Sequence, residues 1–76
     1  MTHRELLRAY GVPYTMHRKA GIPYTTANRW YHAGVVKDWR CWRQLIVTAK
    51  GEGLVDGDTD DMLAGLAKDV NAGSKL

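Results

Sequence analysis

Between residues 24 and 32 the chain sets out Tyr24, Thr25, Thr26, Asn28, Arg29 and His32, side chains suited to hydrogen bonding rather than burial. Asn can donate and accept on one planar amide, which matches the exposed edge of adenine. Arg presents a planar fork that matches guanine, and Thr offers thymine a hydroxyl and a methyl. Ala27 and Trp30 lie three apart within the same stretch, so on a helix the apolar pair would face inward and the polar set outward. A second set comprises Tyr14, Thr15, Arg18, Lys19, His32, Lys37, Arg40 and Arg43. These cations and hydroxyls are the kind that hold phosphate, positioning a nucleic acid without reading its sequence.

Such groups need rigid elements behind them. Thr2-His3-Arg4-Glu5 reads as a capping box, which predicts a first helix with Leu6, Leu7 and Tyr10 on its apolar face and Gly11 at its end. The run Gly11-Val12-Pro13-Tyr14-Thr15 is echoed ten residues later by Gly21-Ile22-Pro23-Tyr24-Thr25. Both fit one device, a glycine stop followed by a proline-initiated helix, because the first helical position has no use for an N–H. The device predicts a second helix over about 13–20 and a third over about 23–32, closed by Gly34. Met16, Ala20, Ile22, Ala27 and Trp30 would then form the inner contact between the two, around a turn at Gly21.

Beyond residue 34 the pattern is less specific. Asp38 suits an N-cap, and Trp39, Trp42, Leu45, Ile46 and Ala49 follow at helical spacing to Lys50-Gly51. The β-branched run Ile46-Val47-Thr48 also permits a hairpin over 44–55, and both alternatives stay open. Trp42 is expected in the core; Trp39 suits either the core or a dimer seam. Residues 56–61 read as a polar linker, Met62, Leu63, Leu66, Ala67 and Val70 as a fifth amphipathic helix, and 71–76 as a disordered tail. The expected organisation is therefore all-α, a bundle of four to five helices. Residues 1–50 form its main domain, and 51–70 an acidic linker and short helix packed on it.

Charge sharpens the division. The 76 residues carry a net +3. Residues 1–50 hold nine basic groups against Glu5 and Asp38, and residues 51–76 hold Lys68 and Lys75 against six carboxylates, so a +7 body joins a −4 segment. A basic body points to a polyanion, most simply nucleic acid. Length allows one domain, and so short a chain buries only about 60% of its unfolded surface, which predicts marginal stability that a dimer would raise. The single Cys41 excludes an internal disulfide and suits a reducing cytoplasm. No apolar run approaches a bilayer span, and no signal-peptide core is expected at the N-terminus.

Other chemistries fit less well. His3, His17, His32 and Cys41 are spaced by 14, 15 and 9 residues, unlike zinc ligands, and are expected to be a half-buried thiol with exposed or DNA-facing imidazoles. In the acidic run 56–61, Asp61 stands where a calcium loop needs Gly and Ala67 where it needs Glu, so capping and solvation are expected there. No nucleophile–base pair, phosphate loop or carboxylate dyad is evident, so neither catalysis, a metal nor a cofactor is expected.

With those residues in place, the chain resembles the Cro and repressor proteins of bacteriophages over Arg4 to Lys50. The resemblance rests on Leu6-Leu7, Tyr10-Gly11, Met16, Ala20-Gly21-Ile22, Ala27 and Trp30, followed by Trp39, Trp42 and 43–49. It implies a helix-turn-helix fold that binds palindromic operator DNA as a homodimer and represses transcription in a bacterial cytoplasm. Tyr24, Thr25, Thr26, Asn28 and Arg29 would then read bases. His17 stands where the family usually has a small residue, so it should lean outward or tilt the helix pair. Pro13 and Pro23 replace the polar residues that usually open the two helices. Two alternatives remain: an excisionase-like winged-helix architectural protein, whose wing the hairpin would supply, and a small phage protein that inhibits a host protein.

Overall fold

The computed structural model describes residues 1–73, with side chains to Asp69. The chain forms α1 (His3–Tyr10), α2 (Pro13–Ala20), α3 (Tyr24–Ala33), a 3-10 turn at Trp39–Cys41, α4 (Trp42–Gly51) and α5 (Thr59–Gly73). Among the described residues there is no strand. The hairpin over 44–55 is therefore not formed. Helical spacing puts Leu45, Ile46 and Ala49 together in the core and leaves the β-branched Val47 outside, and that burial outweighs strand propensity. The helix ends through Gly53, whose positive φ lets Leu54 N–H reach back to Ala49 O at 2.8 Å.

Every helix contributes to one core. Leu6, Leu7 and Tyr10 come from α1; Met16 and Ala20 from α2; Ala27 and Trp30 from α3; Leu45, Ile46 and Ala49 from α4; Met62 and Leu66 from α5. Ile22 and Val36 enter it from the connecting segments. The capping box at Thr2 is complete: its hydroxyl accepts from Glu5 N–H at 3.1 Å, and Glu5 accepts from Thr2 N–H at 3.0 Å. That backbone bond holds the Glu5 carboxyl below its usual range.

Several expectations need correction. The two prolines do different work: Pro13 is the first residue of α2, whereas Pro23 is extended (φ −54°, ψ 136°) and caps α3 from outside. Trp39 is 70% exposed, because the Asp38 carboxylate ties Arg40 N–H at 3.1 Å into a 3-10 turn that takes Trp39 out of the α4 register. Trp42 is half-buried against the core and donates its indole N–H to Val36 O at 2.8 Å. Ala67 is exposed rather than part of the inner face of α5. That helix extends to Gly73, three residues into the expected tail; 74–76 lie outside the described residues, as does the Val70 side chain.

His3 departs furthest from expectation. It is fully buried, with Nε2 donating to Leu66 O at 2.9 Å and Nδ1 accepting from Val36 N–H at 3.1 Å. Asp69 accepts from its backbone N–H at 3.1 Å, and the Trp42 ring meets the imidazole edge-on at 5.2 Å. One side chain thus joins α1, α5 and the segment before the 3-10 turn, with both ring nitrogens satisfied in the neutral form. Beside it Gly65 lets the N-terminus pass: a Cβ there would stand 2.5 Å from the Met1 backbone.

Candidate nucleic-acid interface

The polar residues of the third segment are positioned by the junction between α2 and α3. Gly21 ends α2 in the left-handed conformation (φ 73°, ψ 19°), which a side chain would strain, and its N–H returns to His17 O at 3.1 Å. Ile22 turns inward, Pro23 redirects the chain, and Met16, Ala20, Ala27 and Trp30 pack between the helices. From α4, Gln44 donates to Ala20 O at 2.6 Å, closing the carbonyl end of α2.

His17 braces this turn. Its Nδ1 donates to Ile22 O at 2.8 Å, while its ring lies 6.3 Å from both Tyr14 and Tyr24. The helix pair thus accommodates it by leaning it outward across the turn. Residue type alone gives no signal for that bond; the only cue was its crowded position before a glycine turn. Tyr14, 56% exposed, also carries the Arg18 guanidinium 6.0 Å from its ring centre.

On α3, Thr25, Arg29 and His32 are exposed, Tyr24 is 48% exposed, and Thr26 and Asn28 are half-buried. Thr26 and Arg29 share a shallow recess of about 370 Å3 with Trp30, Lys37, Asp38 and Arg40. It brings residues expected to read bases beside residues expected to hold phosphate. His32 lies elsewhere, in a recess against α1.

The expected phosphate contacts divide into two groups. Lys19 pairs with Glu52 at 2.6 Å, Arg40 with Asp38 at 3.0 Å, and Arg43 with Asp60 at 3.5 Å. Arg40 and Asp38 reinforce one another, so the carboxyl is held below its ordinary range and the guanidinium above its own. Arg18, His32 and Lys37 make no ion pair among the described residues, and neither do Tyr14 and Thr15, which lie exposed and half-buried on α2. The acidic segment therefore forms two ion pairs with the basic body.

Among the described residues no three His, Cys, Asp or Glu side chains gather as a metal site. Asp58 instead caps α5, accepting from Asp61 N–H at 3.0 Å. Burial, with Asp38 beside it, raises the Cys41 thiol above its usual range, which lowers the thiolate fraction a nucleophile needs. Among the described residues no helix is long and apolar enough to cross a membrane. No protein-family model, curated protein or solved structure matches the chain.

Proposed function

We propose that this protein is a sequence-specific double-stranded DNA-binding regulator of the Cro and repressor kind, with α2 and α3 as its helix-turn-helix. The observation that carries the proposal is the α2–α3 pair: two short helices close around a left-handed Gly21, with a hydrogen-bonding face turned outward on a basic body. In that reading α3 enters the major groove. Thr25 and Arg29 lead, Tyr24, Thr26 and Asn28 flank them, and Tyr14, Thr15, Arg18 and Lys37 hold the backbone.

A homodimer on a palindromic operator fits a domain of this size, because one short helix reads only a half-site. The exposed Trp39 and Val47 offer apolar surface for a second copy. The absence of a strand at 44–55 removes the support that a wing would have given to the excisionase-like reading. The activity proposed is binding, not catalysis.

Selection on a random duplex library tests this directly. Enrichment of a palindromic sequence, with affinity falling steeply as salt rises, is the expected result. No enriched sequence, together with a nuclease-resistant protein partner from host lysate, would favour an inhibitor of a host protein instead.

A further inference from the structure

Away from the α2–α3 turn, a second basic recess of about 260 Å3 opens between α1 and the C-terminal end of α3. Arg4, Arg8 and His32 stand around it, Leu7 and Tyr31 give it an apolar wall, and Gly34 closes one side. Its lining contains no carboxylate. Among the described residues neither Arg4 nor Arg8 forms a side-chain ion pair. The recess at Lys37 differs, because there Asp38 already neutralises Arg40.

The local geometry explains why cations gather here. Arg8 lies in the last turn of α1 and His32 in the last turn of α3, so both helices turn their negative carbonyl ends toward this corner. Arg4 precedes Arg8 by four residues and lies on the same face of α1. Gly34, left-handed at φ 73°, leaves the space a Cβ would take, and Arg4 Nη2 lies 3.6 Å from that point. Tyr31 fixes the wall by donating its hydroxyl to Leu7 O at 2.6 Å. Two guanidinium forks with spare donors then face an open volume large enough for a tetrahedral oxyanion.

We infer that this recess is an oxyanion site of the phosphate type, with Arg4 and Arg8 as its binding residues and His32 beside them. Its ligand is either a backbone phosphate of the DNA that α3 reads, which rests on the proposed function, or a free phosphate-bearing molecule. In the first case α1 extends the DNA footprint past the end of α3.

Two titrations of the full chain test it. Inorganic phosphate, followed by amide chemical shifts, should move Tyr31 to Gly34 saturably, and the exposed-site variant Arg4→Gln/Arg8→Gln should lose that response while keeping its circular dichroism. A mixed-sequence DNA duplex, followed by anisotropy, should bind the variant about tenfold more weakly, with the slope of log affinity against log salt reduced by about 2. Loss in both titrations assigns the site to backbone phosphate. Loss with inorganic phosphate alone assigns it to a free ligand, and it would stand even if neither protein bound duplex, which would defeat only the DNA reading. If phosphate moves no amide near Gly34 and the variant binds duplex like the parent, the inference is overturned.

Discussion

The seam around His3 and the face of α3 are built to opposite rules. At His3 the side chain is fully buried and both ring nitrogens are committed. On α3 the side chains of the exposed Thr25, Arg29 and His32 make no hydrogen bond or ion pair to other described residues. Uncommitted donors cost nothing at a wet surface and are costly when buried. The contrast therefore separates a seam committed to stability, at α1, α5 and the segment at Val36, from an outer face of α3 left free for the recognition proposed above.

The strongest way to break this division is at His3. His3→Ala strands Val36 N–H, removes a bond to Leu66 O and opens a cavity, so it should cost about 3 kcal/mol or more in chemical unfolding. A variant as stable as the parent would remove the seam from its role. Alkali probes two further hydrogen bonds of the packed interior, which tie α1 to α4 and α3 to α1. Burial pushes the Tyr10 and Tyr31 hydroxyls up to about 12, and each donates a 2.6 Å bond, to Leu45 O and Leu7 O, that only the neutral phenol can make. A folded value above the unfolded one, about 10, means the contribution is complete below pH ~10 and is lost as pH rises toward ~12. Thermal midpoints across that range should fall, and Tyr31→Phe should flatten part of the decline.

Gly65→Ala is the next step down. Helix propensity favours alanine by roughly 1 kcal/mol, but a Cβ 2.5 Å from the Met1 backbone forces the N-terminus off α5. A net loss of about 1 kcal/mol in urea unfolding is expected; a gain would show that Met1 moves freely. Smallest of all should be Glu52→Gln. Its exposed pair with Lys19 contributes no more than about 0.5 kcal/mol to stability, while freeing the lysine should raise the salt slope of DNA binding by about 1. That variant sharpens the comparison, because it should move binding and leave folding still.

Local signals were strong where the chemistry is local. The capping box at Thr2, the boundaries of α2 and the inner set from Met16 to Trp30 follow from short-range rules. For α4 those rules leave helix and hairpin both open, and the burial of Leu45, Ile46 and Ala49 decides for the helix. What escaped was tertiary. Nothing within a few residues of His3 says that Leu66 and Val36 will meet it, so an isolated imidazole looked like surface. The same holds for Gln44 closing α2, and for Lys19 and Arg43 meeting acids from beyond residue 50. Trp39 leaves the α4 register for a local reason: Asp38 specifies a 3-10 turn as readily as an α-helix, and apolar spacing does not distinguish them. The Arg4–Arg8 recess was invisible because its third wall comes from the far end of α3.

The central claim is that α3 reads bases, and Arg29 tests it most directly. On the duplex enriched by selection, Arg29→Ala should lose about 1–3 kcal/mol of affinity and discriminate less between bases at one position, with unchanged unfolding. Equal affinity and equal specificity for variant and parent on that duplex would contradict the account.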